Sequence, residues 1–244
     1  MDLARELIDL HEKPGEVPPF SQRYPRLTPE EGYTAARRLH EHRVAQGWRP
    51  VGRKIGFTNR TLWERYGVRE PMWGWVYDRT FIQAKNNQAE VNLTGLVQPR
   101  IEPEIAFKLD RNLRVEWMAH SVEIVQCHHP QWKVTIADCT ADNGLHGRLI
   151  VGAPLPLQDN LAKAEARLYK DDRLIDKGVG ANVLGGPMLS LACLVELLKK
   201  HPDAPLREGE IITTGVLTDA HPVARGETWR TEVTGFPGLT IRFA

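Results

Sequence analysis

The chain has 244 residues, 41% apolar and 26% charged, enough to bury a full core without a covalent staple. Its 32 basic and 31 acidic side chains leave a formal charge of +1, which removes any electrostatic reason to expect nucleic acid or an acidic membrane surface as a partner. Three cysteines with no CxxC favour neither a disulfide framework nor a cysteine zinc site. With no signal pattern and no run of 18 apolar residues, the composition reads as a cytoplasmic globular protein.

Leu3, Leu7, Ile8 and Leu10 recur at helical spacing over residues 1–13, and Lys13-Pro14-Gly15 stops the run. After a proline-rich connection, Thr28-Pro29-Glu30-Glu31 reads as a capping box that opens a helix to residue 46, with Tyr33, Ala36 and Leu39 on one face. From Val51 the pattern changes to short strands, expected at 51–57, 75–77, 91–93, 101–109, 115–118, 122–127 and 134–139. Helices are expected near 161–169 and 189–200. Strands come next at 211–214 and 228–233, with 239–243 as a final edge strand. Many irregular strands with helices at the ends give an α+β class, divided as a helical extension (residues 1–50) on a β-rich catalytic body (residues 51–244).

The chemistry concentrates in Arg100-Ile101-Glu102-Pro103-Glu104-Ile105-Ala106-Phe107. On a strand, Glu102 and Glu104 project to the same face, where two like charges repel unless something positive sits between them. A hard divalent cation is one answer and a solvated strand end is the other. Glu123, inside the apolar Ser121-Val122-Glu123-Ile124-Val125, can supply a third carboxylate or simply point outward. Lys54 lies between Gly52 and Gly56, as a ligand-facing ammonium or a solvated lysine.

Asp78 ends the aromatic stretch Trp73-Gly74-Trp75-Val76-Tyr77. Phe57, Trp63, Trp73 and Trp75 can wall a pocket or fill a core. Asp138 and Asp142 read as turn residues or functional acids, and His128-His129 as a surface loop. His146 and His221 are acid/base candidates only if folding brings them to the carboxylates. The hydroxyls and amides of Thr213-Thr214-Gly215 can bind a carboxylate or cap a turn.

Taken in order, these segments resemble the fumarylacetoacetate-hydrolase superfamily, and more closely its 2-oxopent-4-enoate hydratase and 4-oxalocrotonate decarboxylase branch. The matching pieces include Val51 to Thr58, Tyr66-Gly67-Val68, Leu96 to Phe107, Val122 to Val125, Ala141-Asp142-Asn143, Val183 to Pro187 and Gly209 to Gly215. The resemblance implies a mixed β-roll with N-terminal helices, and Mg²⁺ or Mn²⁺ held by Glu102, Glu104 and Glu123. It implies a small-molecule 2-oxo or 2-hydroxy-dienoic acid as substrate and a homo-oligomer. Lys54 carries over as the cation near the substrate, and Asp78 as a proton-transfer or lysine-orienting group.

Hydration of a 2-hydroxy-dienoate is the leading activity, with decarboxylation of an unsaturated 2-oxo diacid, or another enolate reaction, as the alternative. The chain departs from the family pattern in the short 108–122 connection, in Gln126-Cys127-His128, and in Gly144-Leu145-His146.

Overall fold

Helix α1 (Leu3–Glu12) begins where Asp2 accepts the Ala4 amide, and it buries Leu7 and Leu10 against Phe20 of the one-turn α2 (Phe20–Arg23). Helix α3 (Pro29–Ala45) starts with the expected capping box between Thr28 and Glu31. Its two faces do different work. Ala35 and Leu39 pack with α1, while Tyr33 and Ala36 join Ile55, Trp73 and Phe107 in the main core. Each such large side chain, once fully buried, contributes roughly 1.5–3 kcal/mol. The computed structural model describes residues 2–244, and the side chains of Leu62, Arg65 and Tyr66 lie outside the description.

The strands are β1 (Pro50–Gly56), β2 (Met72–Tyr77), β3 (Phe81–Gln83), β4 (Gln88–Val91), β5 (Arg100–Leu109), β6 (Val115–Val125) and β7 (His146–Val151). They continue with β8 (Glu165–Lys170), β9 (Arg173–Val179), β10 (Ile211–Thr213), β11 (His221–Pro222), β12 (Thr228–Val233) and β13 (Leu239–Phe243). One sheet runs β2-β1-β10-β5-β6-β7-β3, with β11 added on β5, and the second runs β4-β13-β12-β8-β9. Parallel pairs (β1 with β10, β3 with β7, β4 with β13) mix with antiparallel ones. This is the expected mixed β-roll preceded by helices.

Several local expectations are corrected. The two strands expected at 115–118 and 122–127 are one continuous strand, β6, in a tight hairpin with β5. Asp110 closes the turn by accepting the Asn112 and Arg114 amides. Residues 134–139 do not form a strand. Thr135 and Asp138 make a second capping box that starts α5 (Ile136–Ala141), and this local bonding outweighs the β-branched composition. Of the helix expected at 161–169 only a 3-10 turn at Leu161–Lys163 forms; beyond it Ala166 and Leu168 are buried while Glu165 and Arg167 are exposed, the period of β8. Strand β13 lies between β4 and β12 and is not an edge.

The apolar stretch 180–198 is broken by positive φ at Leu184, Gly185 and Gly186. Its helical part is α6 (Pro187–Leu198), only 12 residues. At about 18 Å, α6 is too short to cross a hydrocarbon core of about 30 Å.

Candidate active site

The β5–β6 ladder builds the site. Glu102 sits directly opposite Glu123, and Glu104 opposite Ser121, so alternation and register put all three carboxylates on one face. Pro103 between the two acids does not break the ladder. Its carbonyl takes the Leu217 amide, on the side away from β6, so its missing N–H falls where β6 needs no donor. Oxygen atoms of Glu102, Glu104 and Glu123 lie within 4.8 Å of one another. Glu104 and Glu123 are fully buried, and Glu102 is partly exposed.

Each acid has a distinct setting. One Glu104 oxygen, Oε2, accepts the Thr213 hydroxyl and the Gly215 amide (2.8 Å). The 213–215 segment therefore does bind a carboxylate, and it is the protein's own. Gly215 takes φ 100, and a Cβ there would strike Thr58. The other Glu104 oxygen, Oε1, is buried with no hydrogen-bond partner among the described residues.

Glu123 Oε1 is 2.8 Å from His146 Nδ1, and His146 Nε2 is 2.9 Å from the Thr80 hydroxyl. Glu123, whose pKa is lowered, is an ionised carboxylate that can only accept, so His146 Nδ1 carries a proton and donates it to Glu123. His146 thus touches a carboxylate of the cluster.

Lys54 Nζ donates to the Gly144 carbonyl (2.9 Å) and lies 3.2 Å from Glu123 Oε2. Burial alone would lower the lysine pKa, but Glu123, Glu102 and Glu104 outweigh it and hold it above its ordinary value. Burial also pushes Glu102 up to about 7 and Glu104 well above the usual carboxylate range, each reinforced by the neighbouring acids. For Glu123 the desolvation penalty is overcome by Lys54 and His146, which lower its pKa. Three carboxylates face one ammonium, so the cluster lacks positive charge. An all-oxygen donor set with a buried open oxygen and proton-raising repulsion fits a hard divalent cation such as Mg²⁺ or Mn²⁺.

The adjoining cavity is lined by Lys54, Phe57, Glu102, Arg100, Trp132 and Leu145, among others. Arg100 precedes Glu102 by two residues on β5, and its guanidinium lies 4.3 Å over the Trp132 ring. Among the described residues it makes no ion pair or side-chain hydrogen bond. Neither Arg100 nor Trp132 was singled out by sequence pattern. The signal for Arg100 is its alternation with Glu102 and Glu104 on one strand face, and Trp132 falls in Trp132-Lys133, a further piece of the family resemblance.

Other sequence candidates fall elsewhere. Asp78 accepts the Arg49 amide and Nε (both 3.0 Å), at the opposite end of the β1–β2 pair from Lys54. The lysine is oriented instead by Gly144 and Glu123. His221 pairs with Asp176. Trp73 and Trp75 belong to the core, not the cavity. His128 and His129 are fully buried, not on a surface loop, and His128 bonds Asp142. Asp138 anchors Thr135 and Ser21.

No family model matches the chain. Over 241 residues it is 30% identical to 2-hydroxyhexa-2,4-dienoate hydratase of Comamonas testosteroni, covering 92% of this chain and 90% of the relative. It is 28% identical over 226 residues to a 4-oxalocrotonate decarboxylase of a Pseudomonas species, covering 88% and 87%. The fold superposes on 4-oxalocrotonate decarboxylase from Pseudomonas putida G7, complexed with magnesium and adipate. That match has a TM-score of 0.92 and 24% identity, covering 99% of this chain and 96% of the other.

Proposed function

Because the chain belongs to the fumarylacetoacetate-hydrolase superfamily, in its hydratase and decarboxylase branch, we propose that it decarboxylates an unsaturated 2-oxo diacid. It is a metal-dependent lyase of that branch. The carrying observation is Arg100, a guanidinium with no ion pair among the described residues, on the same strand face as Glu102 and Glu104. Residues two apart on a strand are separated by about 6.7 Å, close to the carboxylate spacing of an extended six-carbon diacid. The decarboxylase from Pseudomonas putida G7 was solved with adipate, a diacid of that length.

Glu102, Glu104 and Glu123 would hold the divalent cation, which when bound supplies Lewis-acid polarisation of the 2-oxo acid oxygens. The electron pair released as carbon dioxide leaves travels along the conjugated chain to the 2-oxo oxygen. Lys54, fixed by Gly144 and Glu123, aims its ammonium at the charge that develops there. His146 keeps Glu123 oriented, Arg100 recognises the distal carboxylate, and Asp78 has no part. This reading includes a cytoplasmic setting, which the free Cys127, Cys139 and Cys193 suit. It also includes residues 1–50 as an extension of the catalytic body, and assembly into a homo-oligomer.

Hydration of a 2-hydroxy-dienoate is the second reading, favoured by the 30% identity to a hydratase and by the apolar Phe57, Met72 and Leu145 along the cavity. Carbon dioxide release from an unsaturated six-carbon 2-oxo diacid, with Mg²⁺ present, separates the two. Arg100→Met should raise KM for the diacid by about 30-fold or more and spare a monoacid. Loss of dienoate absorbance from a monoacid, with no carbon dioxide from the diacid, would establish hydration instead.

A further inference from the structure

We propose that His11, Asp142 and His128 form a latch by which helix α1 positions Lys54, an inference that rests on the role of the lysine in the proposed reaction. Asp142 is buried between two imidazoles. Its Oδ1 is 2.7 Å from His11 Nε2 and its Oδ2 is 2.7 Å from His128 Nδ1. Arg43 Nη2 lies 3.0 Å from His11 Nδ1 and can only donate, so the His11 proton is fixed on Nε2 and directed at Asp142. His11 and Asp142 are 131 residues apart in the chain, so nothing local requires this contact.

The turn after Asp142 needs holding. Asn143, Gly144 and Leu145 take φ of 48°, 67° and 61°, three consecutive left-handed residues of which two carry side chains. Such a run is unfavourable unless its surroundings impose it. The Asn143 side chain ties the turn to strand β2, accepting the Trp75 amide (2.8 Å) and donating to the Trp75 carbonyl (3.0 Å). Asp142, gripped by both histidines, fixes its start. The turn then presents the Gly144 carbonyl to Lys54 Nζ at 2.9 Å. The path from α1 to the lysine is therefore continuous: His11, Asp142, the left-handed turn, Lys54.

The same three residues have the composition of a transition-metal site, with ligand atoms within 4.8 Å. Arg43 argues against that use. It occupies His11 Nδ1, leaves Nε2 protonated, and sets a guanidinium against the cluster. Asp142 holds His128 above the ordinary imidazole pKa despite burial, as a hydrogen-bonded ion pair would.

The test uses the full chain with Mn²⁺, and oxalate as the smallest bidentate probe of the lysine and cation together. Titration calorimetry of His11→Ala should show unchanged Mn²⁺ affinity, with oxalate bound about tenfold more weakly and kcat reduced by a similar factor. His11→Gln, whose amide N–H reaches the Nε2 position, should restore most of both. Leu7→Ala, which loosens α1 without touching the latch, should lower the melting temperature but spare oxalate binding and kcat. Wild-type oxalate affinity and kcat in His11→Ala would overturn the latch, as would equal losses in Leu7→Ala. Stoichiometric Zn²⁺ binding by the wild type that His11→Ala abolishes would replace it with a metal site. If the wild type binds neither Mn²⁺ nor oxalate, the functional reading falls. The latch is then judged by Lys54 acetylation, which should be faster in His11→Ala; equal rates would overturn it.

Discussion

Two of the buried ionic groups among the described residues sit on either side of one turn and are built on opposite principles. Around Asp142, both carboxylate oxygens are bonded, each by a histidine, and Arg43 settles the tautomer of one; the buried atom left without a hydrogen bond there is His128 Nε2, not a carboxylate oxygen. Around Glu104, three carboxylates share one lysine, and two oxygens, Glu104 Oε1 and Glu123 Oε2, have no hydrogen bond among the described residues, the second facing only the Lys54 ammonium. A buried, satisfied carboxylate rigidifies its surroundings, whereas a buried, unsatisfied one destabilises the fold until a ligand compensates it. The balanced cluster is suited to position, and the unbalanced one to binding.

Four experiments press on that contrast. The largest effect is expected from Glu104→Gln, which keeps an acceptor for Thr213 and Gly215 but removes a charge. Divalent-metal affinity should fall by about a hundredfold or more, while the metal-free protein melts at a higher temperature because repulsion is relieved. A lower metal-free melting temperature would break the idea that this cluster is unbalanced.

Lys54→Met comes next. It should reduce kcat by about a hundredfold, by loss of a charge aimed at the developing oxyanion. Metal affinity should rise at the same time, since a competing cation is gone; reduced affinity in calorimetry would contradict the assigned geometry. His146→Ala should weaken metal binding by about tenfold through loss of the Glu123 orientation, with little change in unfolding by denaturant.

The smallest effect concerns pH. Burial and Arg43 lower the His11 pKa to about 4, against an unfolded value near 6.5. The folded chain thus refuses a proton that the unfolded chain accepts. Stability present above pH 6.5 is lost as pH falls toward 4, by about 3 kcal/mol at most for this one group. His40 and His120 are also lowered to about 4 by burial, so His11→Gln should flatten the acid side of the melting-temperature profile only in part. An unchanged profile would remove His11 from the balanced cluster.

Much of the acid site was legible because it obeys local rules. Glu102 and Glu104 share a face through the two-residue period, whereas the hairpin that sets Glu123 beside them was hidden by the break expected between 118 and 122. The capping box of α3 and the carboxylate-binding 213–215 turn were readable for the same reason. The latch was not legible, because His11, Arg43, His128 and Asp142 meet only after the helices dock on the sheet and leave no period behind. Residues 134–139 misled because β-branched residues mark strands, while the two bonds that start α5 depend on Thr135 and Asp138 alone. Trp73 and Trp75 read in sequence as pocket walls or core, and packing decides: Trp73 stacks on Tyr33, and Trp75 stacks on His40 beside a separate cavity.

Gly144 and Gly56 flank Lys54 so closely that a Cβ on the first would lie 2.9 Å from its Cδ, and on the second 3.3 Å from its Nζ. Two absent methyl groups make a slot that admits one course for the lysine stem. The rotamer freedom of a lysine, worth about 1.5–2 kcal/mol, is therefore surrendered once, when the chain folds. In the proposed reaction it is not surrendered again in each turnover, and every cycle begins with the ammonium already aimed.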